Sequence, residues 1–160
     1  MKLKQNLTFQ NVYRVVCRGA DGLVKWIEKT PNLVTTEGKD HILDTEFHAG
    51  TAVTTWYIGL KATGTAVAAD TMASHTSWSE VSGYSGTRKE WTEGAASSGS
   101  MTNSSSVDYA INATATVAGV FLASATSGTT GTLFGVADFS TTRNVISGDT
   151  IQITLTVSIS

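Results

Sequence analysis

Cysteine occurs once and proline once in this chain of 160 residues. A lone thiol, Cys17, cannot close an intrachain disulfide, so a disulfide-stapled secreted scaffold is excluded. Charge is equally scarce: Asp, Glu, Lys and Arg make up 15% of the residues, with a net charge of -2. Nowhere do about 18 apolar residues run together, and the opening MKLKQNLTFQ has no continuous apolar stretch. Neither a membrane partner nor a secretory leader is expected, and synthesis in a cytoplasm follows. Neither a P-loop nor a dinucleotide fingerprint nor the nucleophile elbow G-x-S-x-G occurs, so no cofactor is expected and catalysis has no positive support.

Ser and Thr, by contrast, supply roughly a quarter of the chain. β-branched Thr and Val favour strands, and Ser, Gly and Asn supply turns. NVYRVVCRGADGLVKWIEK reads as a hairpin turning at Gly19 to Gly22 and ending at Pro31. TTWYIGLKATG predicts a strand covered on both faces, with Trp56, Ile58 and Leu60 on one of them. Asp70 is placed to cap the single turn TMASH, and GTRKEWTEG reads as a charged edge strand. GAASSGSMTNSSS has no periodicity and predicts a long loop, or an arm that orders against a neighbour. VDYAINATATV and GVFLASATSG read as a strand pair, with TLFGVADF after them. The clearest element is the last, where Ile151, Ile153, Leu155, Val157 and Ile159 alternate with Gln152, Thr154, Thr156 and Ser158. Seven or eight short strands make an all-β, antiparallel β-sandwich, jelly-roll or immunoglobulin-like, with one short helix near residues 36–48. Residues 1–160 are expected to form one domain, with 1–10 an N-terminal arm or first strand.

The helix is predicted to start at a Thr36 cap and stop at Gly50. At 100° per residue, Glu37, Asp40, His41, Asp44 and His48 share one stripe, and the i, i+4 spacing is what two metal ligands on a helix need. A solvated amphipathic face predicts the same stripe, with Leu43 and Phe47 on a separate side. No third ligand is evident beyond the loop histidine His75, so no metal is expected and the solvated face is the stronger reading. A metal-dependent enzyme using His41, Asp44 and His48 is the third-ranked function.

Two groups of residues are candidates for binding. Lys2, Lys4, Arg14, Arg18, Lys25 and Lys29 oppose only Asp21 and Glu28 before Pro31, so the first segment is locally basic. No Arg/Lys cluster with interleaved aromatics follows this segment, which argues for an acidic protein surface and against nucleic acid. Trp78, Tyr84 and Trp91 lie in polar surroundings and are candidates for an interface or a sugar platform, against the commoner use as core. Arg14, Arg18, Lys25, Trp78, Trp91 and the loop residue Asn103 are therefore the expected partner or subunit contacts.

NLVTTEGKDHILDTEFHAGTAVTTWYIGL, AADTMASHTSWSE and VISGDTIQITLTVSIS together resemble a group of small β-rich virion proteins of tailed bacteriophages, over roughly Asn32 to Ser160. The best-understood comparable proteins are head decoration, or cement, proteins on jelly-roll-like sandwiches. The resemblance implies a structural role on the outer surface of the head, bridging capsid subunits, with the major capsid protein and copies of itself as partners. The alternative is a tail or fibre module that binds a host glycan or receptor through Trp78, Tyr84 or Trp91.

Overall fold

Alternation of inward and outward side chains sets the first hairpin, seen here in a computed structural model that describes residues 8–160. β1 (Phe9–Arg18) pairs with β2 (Val24–Pro31), and the Gly19 amide closes the turn on the Leu23 carbonyl at 2.9 Å. Tyr13, Val15 and Cys17 point inward and are fully buried, while Arg14 and Arg18 are exposed. Residues 1–7 of the expected arm lie outside the described residues. β10 (Thr150–Ile159) runs along the other side of β1 from Phe9↔Ile159 to Arg18↔Thr150. Its Ile151, Ile153 and Leu155 are fully buried and its Gln152, Thr154 and Thr156 half-buried, as the alternation predicts.

β6 (Ser100–Thr102) and β7 (Val107–Ala110) share the remaining edge of β10 and complete the first sheet. Here the structure corrects the expected loop at residues 95–106. The Asn103 carboxamide accepts from the Leu155 amide at 2.8 Å and donates to the Ile153 carbonyl at 3.1 Å, ordering the segment on its own chain.

The chain leaves the first sheet at Asn32, whose amide donates to the Asn11 carbonyl, and enters the second as β3 (Leu33–Val34). The order there is β3, then β9 (Leu133–Val145), β8 (Ala115–Ala123), β4 (Tyr57–Lys61) and β5 (Lys89–Glu90). VDYA and GVFLA are not partners: VDYA joins the first sheet as β7, and ATVAGVFLA is one continuous strand of the second. Both sheets are antiparallel, giving an all-β sandwich with ten strands among the described residues rather than the expected seven or eight. The additional ones, β3 and β6, are two- and three-residue pairings too short for a periodic signal, while β5 is the charged edge strand expected in GTRKEWTEG.

Between the sheets Tyr13, Val15, Ile151, Ile153 and Leu155 meet Ile58, Leu60, Val120 and Leu122. Alternation sends Phe121 to the opposite side of β8, where a second apolar cluster of Met72, Trp78, Ala123, Leu133 and Val136 covers it. The second sheet is thus buried on both faces, each fully buried large side chain contributing about 2 to 3 kcal/mol.

One helix, α1 (Thr36–Phe47), follows β3. Its N-cap is Thr35, one residue before the expected cap. The Thr35 hydroxyl accepts from the Gly38 amide at 3.0 Å and donates to the Leu133 carbonyl at 2.5 Å, so the cap also ties the helix to β9. Gly38 lets the two backbones touch, because a Cβ there would lie 2.2 Å from the Phe134 carbonyl oxygen. The helix ends as expected, with the Gly50 amide donating to the Asp44 carbonyl at 2.8 Å.

Candidate functional site

The acidic and histidine stripe of α1 divides once its surroundings are in place. The Glu37 carboxylate accepts from the Leu133 amide at 2.6 Å and the Met72 amide at 3.1 Å, so it braces the helix against β9 and the segment between β4 and β5. Asp40, His41 and Asp44 line an open groove of about 580 Å³ with Thr71 and Thr132. His41 stands edge-on to Trp56 with ring centroids 5.5 Å apart, and exposed His48 lies 3.4 Å from Asp44. His75 instead leans over Trp78 at 4.2 Å, its Nδ1 3.1 Å from the Thr71 carbonyl oxygen. The three imidazoles therefore have three separate environments. Among the described residues, no group of three or more His, Cys, Asp or Glu is arranged to hold a metal ion.

The apolar side of the helix departs from expectation. Leu43 is 56% exposed and Phe47 84% exposed, because α1 docks through Gly38 and Ile42 and not through the Leu43 and Phe47 stripe. With Leu33, Val34, Ile42 and Phe9 they border an open groove of about 490 Å³. Sequence periodicity locates an apolar stripe but not whether a neighbour within the chain covers it.

The proposed aromatic contacts are corrected by burial. Trp78 and Trp91 retain 5% and 4% exposure, so neither can anchor a partner on this surface. The Trp78 indole donates to Asp70 at 2.9 Å and packs on Phe121 with centroids 5.2 Å apart. Asp70 also accepts from the Val67 amide, so it folds this loop back on itself instead of capping TMASH. Buried Tyr84 meets Tyr109 edge to face at 4.6 Å, and its hydroxyl donates to Glu80. Burial, then the nearby Glu80 carboxylate, raises the Tyr84 hydroxyl pKa well above its ordinary value. For Trp78 and Tyr84 the polar neighbours in sequence misled because Asp70 and Glu80 are the acceptors that their buried polar atoms need.

Two buried cations went unnoticed in the sequence. Arg88 forks onto Glu80 at 2.8 to 3.2 Å, donates to the carbonyls of Ala125 and Gly128, and lies over the Phe121 ring. Lys61 is fully buried, 2.9 Å from Asp138, and donates to the Gly64 carbonyl. Lys61 occupies an outward position of β4 and would be solvated but for the loop carrying Trp78 above it.

The basic hairpin keeps part of its promise. Lys25 pairs with buried Asp149 at 2.5 Å, and Arg18 donates to Gln152 at 3.0 Å and to the Gly22 carbonyl. Burial and then the neighbouring Asp149 carboxylate push the Cys17 thiol up to about 11, so it is an inert core group at neutral pH. Arg14 faces solvent directly across from Lys29, and among the described residues no carboxylate pairs with either. Asn103 is half-buried and committed to the β10 backbone, which removes it from the expected contacts. Of the six residues predicted to bind, Arg14 alone is both exposed and without a partner among the described residues.

The described residues thus form a two-sheet antiparallel sandwich with exposed faces and open grooves. The chain belongs to the family described as Podophage GP4 fiber I protein gp80, which it matches over residues 34–158. That match begins in β3 and ends in β10, so it takes in the helix and all of the second sheet but Leu33. The protein is accordingly a phage virion structural protein. No curated protein matches the chain.

Proposed function

We propose that this chain is a structural module of a podophage fibre, doing its work through the surfaces of a rigid sandwich and carrying no reaction. The observation that supports this reading is the family match over residues 34–158, which names a fibre protein and spans most of the fold. The architecture is in keeping with it: two sheets share one core, and the second is braced on its outer face by a loop held through Lys61, Trp78 and Arg88. Host recognition through Trp78, Tyr84 and Trp91 is not part of the proposal, since all three are buried.

Attachment to the head, with the major capsid protein as partner, is the competing location. Virions labelled with an antibody against this chain and imaged by electron microscopy separate the two. Label confined to fibres is the expected result, and label spread over the head surface would replace the fibre reading with a decoration role.

A further inference from the structure

Two exposed patches each set like charges side by side. On α1, Asp40 and Asp44 lie one turn apart on an exposed face, so their carboxylates repel, with His48 3.4 Å from Asp44 at one end of the pair. Leu43 and Phe47 interleave with them at i+3 spacing and stand in solvent. On the first sheet, Arg14 and Lys29 are directly opposed across β1 and β2, an arrangement that like charges disfavour. Half-exposed Ile27 is the next outward residue of β2, and Pro31 the next in the other direction.

The patches are opposite in sign and similar in spacing. Asp40 and Asp44, one helical turn apart, are separated by about 5 to 6 Å, and directly opposed residues of a strand pair by about 4.5 to 5.5 Å. Each charged pair is bordered by apolar side chains whose burial would supply the favourable free energy, while the charges would fix register and exclude a like patch.

We propose that copies of this chain associate head to tail, with the Asp40, Leu43, Asp44 and Phe47 face of one copy seated on the Arg14, Lys29 and Ile27 patch of the next. The occupant of each patch is a second copy because the complementary surface is present on the same molecule. Two dissimilar patches make a heterologous contact, which repeats into a ring or an open filament and does not stop at a twofold dimer. The proposal rests on the two patches and holds whether the chain sits on a fibre or a head.

Sedimentation velocity of the full chain over a concentration series tests it. At low salt the sedimentation coefficient should rise with concentration, and high salt should suppress the rise. Phe47→Asp should weaken self-association by at least about ten-fold, as should Arg14→Asp combined with Lys29→Asp. Circular dichroism and thermal unfolding should match the parent, because both changes lie on the surface. Mixing the two variants is the decisive arm. Each retains one intact patch of opposite kind, so the mixture should form a one-to-one dimer and nothing larger. A monomer at every concentration, or association that survives either variant, would overturn the proposal, as would a mixture that stays monomeric while the parent assembles.

Discussion

β8 and β10 are the central strands of their respective sheets, yet they meet different surroundings. In β8 every residue from Val117 to Ala123 is buried, because residues between β4 and β5 lie over the outer side of the second sheet. Among the described residues nothing is laid across the outer face of β10, and Gln152, Thr154 and Thr156 stay half-buried there. The difference lies in the cover and not in the strands. A fold that closes one outer face and leaves the other open has a rigid side and a side available to partners.

The comparison breaks most severely if the cover is removed. Trp78→Ala takes out the side chain that fills the space above Phe121 and leaves Asp70 without its indole donor, and should cost about 3 to 5 kcal/mol in chemical denaturation. Arg88→Met leaves Glu80 without its fork beside a buried edge of the same cover. A loss of about 3 kcal/mol is expected, read as a lower thermal midpoint. Gly38→Ala drives a methyl group into the Phe134 carbonyl and should cost about 1 to 3 kcal/mol, with exchange of the α1 amides accelerated.

A smaller effect depends on pH. Burial opposes ionisation of Glu28, but hydrogen bonds from the Ser140 amide and Arg143 outweigh it and hold the carboxyl below its ordinary value of 4.5. A group with a lowered folded pKa stabilises the fold above the unfolded value, and that contribution is lost as pH falls through the folded one. Asp149, lowered despite burial by Lys25 and the Ile146 amide, acts in the same direction. Denaturation midpoints should therefore fall as pH drops below about 4.5, and Glu28→Gln should flatten that acid limb. The smallest change belongs to the open face: Thr154→Val should leave stability within about 0.5 kcal/mol, sharpening the contrast with Trp78→Ala.

What sequence reading captured follows the same division. The β1–β2 hairpin and β10 were legible because one face is wet, and a wet face leaves an alternating pattern. Around β8 both faces are dry, alternation disappears, and its partner was misassigned. The helix was legible within one residue at its start, since Thr caps and i, i+4 patterns are local. Leu43 and Phe47 were not, because their exposure depends on where Gly38 lets the helix dock. Trp78 and Arg88 share that cause: Phe121, Ala125 and Gly128, distant in the chain, lie against them, and no local window contains those contacts.

The outermost described residues of the first sheet lie side by side, with the Thr8 amide donating to the Ser160 carbonyl at 2.7 Å and the return bond from the Ser160 amide at 3.0 Å. Tension applied at Thr8 and Ser160 would load the β1–β10 ladder from one end and unzip it rung by rung. Pulling along the strand axis from opposite ends of β1 and β10 would instead have to shear the rungs together. The direction of mechanical load, more than its size, would then decide whether the sandwich holds.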